Sequence, residues 1–438
     1  MSRRQALTLA TLLVLCGAAC AQQGPVRQKV AIKGGRVITI SGADIENGTI
    51  LIEDGRIAAV GAGLEVPWDA TVIDATGKVV MPGYVEAHTS EGMSTPNEQV
   101  EEVPFINAAD GVDPMSWYME DTLRSGITTM LVLPGNNTVL GGTGVVIEPS
   151  GHTVAEMTVR EYTGMKVSLL PKSDSSRMAH IERLRTYFAD LREYLEQYKL
   201  RKADAEAAKK PFDEKIDPMK QAAIDLTEGK LKAFIYCPLA SDAVKALALS
   251  KELGFEIVPV LGSDCYKAAG ALAASGLPVI LDSETIVWHT DEDTETTEMK
   301  VVPKIMADAG VKFALSRGGR DYETQSLWLQ AARAVANGVS RDVALRAVTL
   351  TAAEIIGVAD RVGSVDVGKD ANLLILTGDP LDAQSWVDNV LIEGQVVYDR
   401  AKDERLEELL KKPEPEAKEP VPEAEEGDKV VGEDGDKQ

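Results

Sequence analysis

The chain has 438 residues, 44% of them apolar and 26% charged, which is enough for a large buried core and excludes a disordered or fibrous protein. Its 46 Lys and Arg stand against 69 Asp and Glu, a net charge of −23 that repels phosphate backbones and anionic lipid, so no nucleic-acid partner is expected. A mature chain would keep only Cys237 and Cys265, which is no disulfide framework, and without a C-x-x-C it holds no zinc ribbon.

In chain order, Arg3 and Arg4 precede an apolar run from Ala6 to Leu15 and then "ACAQQG", the form of a secretory signal over residues 1–21 with cleavage after Ala21. Export to the periplasm or cell envelope is expected. Lipidation of Cys20 and a twin-arginine route remain open alternatives. No run reaches the roughly 20 apolar residues that span a bilayer. Residues 27–82 then alternate apolar and polar between Gly-Gly, Asp-Gly and Thr-Gly turns, as hairpin-linked strands do. A similar patch covers 359–400, and since neither can bury a core alone, the two are expected to form one composite β-sandwich.

Between them, over 83–358, short apolar runs such as "ITTMLVL", "KAFIYC", "EIVPVL" and "KFALS" alternate with amphipathic stretches such as "SDAVKALALSKELG". That rhythm predicts an α/β fold, a (β/α)8 TIM-like barrel, with a charged helical excursion at 176–231. The tail 401–438 is acidic. From Pro413 it carries ten acidic and three basic residues, a net −7, and too few apolar ones to order itself, so disorder is expected from about 413.

Four segments together resemble the amidohydrolase superfamily, in particular its imidazolonepropionase-like branch: "GGRVITI…GTILIEDGRIAAVG", "VVMPGYVEAHTSEG", "LPGNNTVLGGTGVVIE" at 133–148, and "LTAAEIIGVADRVGSVDVGKDANLLILTGDPL" at 350–381. They span nearly the whole mature chain. The resemblance implies hydrolysis of non-peptide carbon–nitrogen bonds, of cyclic-amide type, by a divalent metal ion at the C-terminal mouth of the barrel. It also implies six site positions: His-x-His on strand one, a carboxylate or modified Lys on strand four, one His each on strands five and six, and an Asp on strand eight.

Carried onto this chain, His88 matches the first ligand and Ser90 replaces the second. Strand four, "GMKVSLLPKSD", offers no acid before Asp174. The strand-five position falls at Tyr236, the strand-six position at Leu261, and the strand-eight position at Gly318, or at Arg317 with the register moved by one. Since disturbing even a ligand's supporting partner costs about 10 to 100-fold, losing five ligands should cost roughly five decades or more. His88 therefore reads as a vestigial ligand, zinc or another divalent ion is the family norm, and no cofactor is expected here.

Other groups offer weaker sites. Cys237 and Cys265 read better as core residues, because Cys237 should point away from an inward Tyr236. The acidic loop with Glu284, Asp291, Glu292, Asp293 and Glu295 reads as solvated rather than calcium-binding, and His152 and His180 as surface residues. Arg317 and Arg320 are either ordinary surface arginines or the lining of an anion pocket, with Asn136, Asn137 and the loop Pro134 to Gly144 supplying further donors. Two function classes stand: an amidohydrolase with reduced or lost metal-dependent catalysis, or a metal-free pseudoenzyme that binds a small molecule, anionic in the arginine reading, or assembles, for instance as a homo-oligomer.

Overall fold

Hairpins begin the described residues as the turn residues dictate. The computed structural model describes residues 29–172, 175–291, 293–318 and 326–411. The export segment 1–21, the tail from 413, Asp174, Glu292 and Arg320 lie outside the described residues. Strands β1 (Lys29–Val37), β2 (Ile45–Glu53), β3 (Arg56–Ala62), β4 (Thr71–Asp74) and β5 (Val79–Pro82) come first. Asp54 and Gly55 join β2 to β3 with φ of 51° and 80°, the left-handed pair that a two-residue hairpin turn needs.

Eight strands make the barrel sheet: β6 (Tyr84–Thr89), β7 (Ile127–Val132), β8 (Leu140–Ile147), β9 (Thr158–Ser168), β10 (Ala233–Cys237), β11 (Ile257–Leu261), β12 (Val279–Leu281) and, after a hairpin of β13 (Ile286–Thr290) and β14 (Thr297–Val301), β15 (Phe313–Leu315). Side chains alternate. Met165, Val167, Ile235, Cys237, Leu261 and Leu315 pack with the helices, while Val85, Ala87, Leu131, Phe234, Val258, Val260, Ile280 and Ala314 form a separate cluster on the other face. The seam between β15 and β6 is bridged by Ser316, whose hydroxyl donates to the His88 carbonyl at 3.0 Å, and by Val85 N–H donating to Val348 O at 2.9 Å.

The barrel departs from eight β/α units. β8 runs antiparallel to both β7 and β9, so the wall from the second to the fourth strand is hairpin-built. Its "GGTG" glycines read as a loop, yet they serve close packing: a Cβ on Gly142 would lie 2.3 Å from Ile106 O, and one on Gly144 2.8 Å from Thr163 O.

The predicted excursion between β9 and β10 is helical. A first helix, α1 (Trp117–Arg124), precedes β7, and the excursion holds α2 (Arg177–Ala207) and α3 (Pro218–Thr227). Ser176 caps α2 by accepting from Ala179 N–H at 3.2 Å, and Asp217 with Pro218 starts α3. Phe188 of α2 meets Phe255 with ring centroids 5.2 Å apart, fastening the long helix to the barrel wall.

After the barrel come β16 (Leu373–Leu376), β17 (Val387–Ile392) and β18 (Gln395–Asp399). β16 pairs antiparallel with β5 from Leu373↔Pro82 to Leu376↔Val79, so the two chain ends do combine. They combine as one hydrogen-bonded path, β18-β17-β16-β5-β1-β2-β3 with β4 beside β1, where a sandwich of two sheets was expected. The unit from Ala401 onward shows one helix, Glu404–Leu410, capped by Asp403. No helix of the described residues is long and apolar enough to cross a membrane.

Candidate active site

The site grows from one lysine. On β9, Met165 and Val167 face the helices, which puts Lys166 on the barrel side. Its stem lies along β8, where Gly141 leaves room: a Cβ there would come 3.0 Å from the Lys166 Cβ. Lys166 is fully buried, its Nζ is 2.7 Å from His88 Nε2, and it sits 5.6 Å from the centroid of the Tyr236 ring.

His88 reaches this lysine because β6 bulges. Between the pairs Glu86↔Met130 and Thr89↔Val132, two residues of β6, Ala87 and His88, lie opposite one of β7, Leu131, and the extra residue re-aims the strand end. Tyr236 is half-buried on the cluster side of β10, while its neighbour Cys237 is buried with the helices. Asp282 follows β12, its N–H donating to Leu261 O at 2.9 Å.

Electrostatics set the protonation. Burial pushes the Lys166 amine down to about 7, with Asp282 pulling it back up through space. Burial first, and the adjacent Lys166 second, hold His88 well below its ordinary range, so its imidazole is neutral and can accept a proton. Burial pushes the Tyr236 phenol up to about 12, so it stays a donor. At neutral pH the amine is divided between ammonium and free base.

Arg317 does not face a ligand. Its side chain is 8% exposed, with Nε 3.4 Å from Glu86 Oε2, Nη2 donating to Thr122 Oγ1 at 2.6 Å, and the guanidinium carbon 4.4 Å from the Tyr118 ring centroid. α1 supplies Tyr118 and Thr122, so the arginine is held between β6 and that helix. Glu86 also accepts from Ser316 Oγ at 2.9 Å; burial pushes its carboxyl up to about 7 although Arg317 pulls it down. Both alternatives for Arg317, a surface arginine and the lining of an anion pocket, are thus corrected: this cation is buried against a carboxyl, and the amine in the barrel is Lys166.

Other expectations sort by position. Ser90 is half-buried just past β6, and Gly318 is half-buried just past Arg317. Leu261 is a correction: it packs toward the helices, and the barrel-side positions of that strand are Val260 and then Gly262. Asn136 has a buried Oδ1 without a hydrogen-bond partner in the structure. Asn137 is exposed and donates its N–H to Asn97 Oδ1 at 3.0 Å. The supposed anion-binding loop up to Gly144 is β8 from Leu140 on, its backbone committed to strand pairing.

His180 is a further correction, being buried in the first turn of α2 with Nε2 2.7 Å from Ser168 O. His152 is exposed, and His289 is exposed on the β13 and β14 hairpin that the acidic loop forms. Cys237 and Cys265 are buried free thiols, the Cys265 Sγ donating to Cys237 O at 3.1 Å.

The residues present do not fit the divalent ion that the family resemblance implies. His88 Nε2 is taken by a lysine, the strand-five position holds a phenol, the strand-six positions offer Val260 and Gly262, and no three His, Cys, Asp or Glu side chains converge among the described residues. Sequence reasoning missed Lys166, Asp282 and Glu86. The signal for Lys166 was present: a single cation inside the apolar strand "GMKVSLL", on the strand where the resemblance admits a modified lysine as well as a carboxylate.

The comparisons agree on one family. The amidohydrolase family profile matches residues 222–397. Over 420 residues the chain is 24% identical to the 5-methylthioadenosine/S-adenosylhomocysteine deaminase of Moorella thermoacetica, covering 86% of this chain and 96% of that one. It is 22% identical to the imidazolonepropionase of Thermoplasma volcanium, covering 83% and 93%. Among solved structures, an amidohydrolase from Thermotoga maritima superposes with a TM-score of 0.76 at 27% identity, covering 85% of this chain and all of that one.

Proposed function

Because the chain belongs to the amidohydrolase superfamily, we propose that it hydrolyses non-peptide carbon–nitrogen bonds in small cyclic amides or amino-substituted rings, with metal-dependent catalysis strongly reduced and a slow reaction run by Lys166 and His88. The observation that carries this reading is the 2.7 Å contact between Lys166 Nζ and His88 Nε2 inside the barrel. As an ammonium, Lys166 can donate to the carbonyl oxygen on which charge develops. The neutral imidazole of His88 can take a proton from the attacking water, and the Tyr236 hydroxyl can donate to the leaving nitrogen.

A second reading is a metal-free protein of the cell envelope that binds a small molecule or assembles with copies of itself. It is supported by the missing convergence of donors and by the export signal read over residues 1–21. Steady-state hydrolysis of dihydrouracil, hydantoin and an aminopurine, with and without chelator, separates the two. The enzyme reading expects slow, chelator-resistant turnover of at least one compound that is lost in Lys166→Met. Turnover abolished by chelator contradicts it, and no turnover of any favours the binding protein.

A further inference from the structure

We infer that the rim of the barrel mouth is a docking surface for a basic peptide segment with aromatic side chains. Two segments build that rim. Residues 90–116, between β6 and α1, hold six acidic residues and no basic one. Residues 282–301, from the end of β12 through the β13 and β14 hairpin, hold six acidic residues among those described, against the single cation Lys300, which is paired with Glu298. β6 and β12 stand on either side of β15, so the two segments leave the barrel about 10 Å apart at ordinary strand spacing.

Large apolar side chains stand out from the same rim. Met115 is 74% exposed, Trp117 66% and Trp288 68%, and Phe105 and Met299 are exposed as well. On the hairpin they share one face: Trp288 lies opposite Met299 in the strand register, while Val287, on the reverse face, packs on the core. No third strand joins this hairpin among the described residues, so its edges are open to an added strand. Tryptophan and methionine are enriched where proteins meet, and exposed apolar groups gathered in one place mark such surfaces.

Charge selects the occupant. A second copy would bring a body of net charge −23 against these carboxylates, which disfavours it. Anionic lipid is repelled for the same reason. A basic segment is attracted, its cationic groups can lie over the exposed indoles, and its own apolar side chains can cover Met115, Trp117, Trp288 and Met299. Docking there is independent of whether the barrel hydrolyses anything.

The test uses the intact protein and the fluorescence anisotropy of labelled peptides. The probe is a short peptide alternating lysine with phenylalanine, and its two controls carry glutamate for lysine or glycine for phenylalanine. The inference expects the probe to bind at least about tenfold more tightly than either control, with affinity falling as salt rises. In Trp288→Ser, with circular dichroism still native, its Kd should rise at least about tenfold, as loss of an aromatic anchor requires. Absence of binding by the probe overturns the inference, as does a Kd unchanged in Trp288→Ser. Equal binding of the glycine control also overturns it, because charge attraction alone would then suffice. So does a dimer in gel filtration that Trp288→Ser makes monomeric, since a second copy would then be what covers the rim.

Discussion

Arg317 and Lys166 are both buried cations, and they carry opposite predictions. Removing one partner of a buried ion pair leaves the other charge stranded, so Arg317→Ala should cost about 3–5 kcal/mol in urea unfolding. The loss should shrink in a Glu86→Gln background, where no carboxylate is left behind; equal losses in both backgrounds would show that Glu86 is not what Arg317 neutralises. Lys166 has no such partner. Met has a similar volume and no charge, so Lys166→Met should unfold about 1–4 kcal/mol later at neutral pH, stability gained where function is lost. A variant less stable than the parent would mean the amine is a structural element. Sequence alone left Arg317 between the surface and an anion pocket and passed over Lys166, because spacing tells which residues follow a strand end, not which of them a helix such as α1 captures.

β8 is the element where pattern and outcome diverge most. Three glycines in "LGGTGVVI" look like turn residues, but contact with Ile106 and Thr163 forces them to lack a side chain while the backbone stays extended. Gly142→Ala should therefore cost about 1–3 kcal/mol through overpacking. Gly270→Ala is the matched control: it lies in a helix with nothing near its Cβ position and a negative φ, so it should gain about 0.5–1 kcal/mol. A destabilised control, or an innocuous Gly142→Ala, would break the packing account.

The end of β8 also ties the barrel to the composite sheet, because Glu148 Oε1 accepts from Asn372 Nδ2 at 2.7 Å. Burial pushes this carboxyl up to about 7 from 4.5. The folded chain thus holds the proton more tightly than the unfolded one. The stabilising contribution is fully present below about pH 4.5 and is lost as pH rises through about 7, for a total of up to about 3 kcal/mol. Glu148→Gln should flatten stability over that window and be the more stable form at about pH 8. A slope unchanged by the substitution would place the titration elsewhere.

At the scale of the molecule, much of the design could be read from residue patterns. The Asp54-Gly55 hairpin, the apolar strands, the charged excursion holding α2 and α3 and the joining of both chain ends through β5 and β16 were all legible, since each rests on local periodicity or turn chemistry. The antiparallel run of β8 and the single path of the end sheet were not, because strand direction and sheet closure depend on long-range pairing. At the site, His88 and Tyr236 could be placed from the resemblance to the amidohydrolase motifs, and the outward Cys237 followed from alternation along the strand. Leu261 failed by one residue, which is enough to reverse the face a strand side chain takes. Lys166 escaped because a charged residue within an apolar strand carries meaning only when its neighbours in space are known.

An amine stands where the superfamily would place an ion, and metal content tests that most directly. Elemental analysis of the purified protein, repeated after incubation with zinc and gel filtration, is predicted to find well under one transition-metal ion per chain. Near-stoichiometric zinc that disappears in His88→Ala would contradict it.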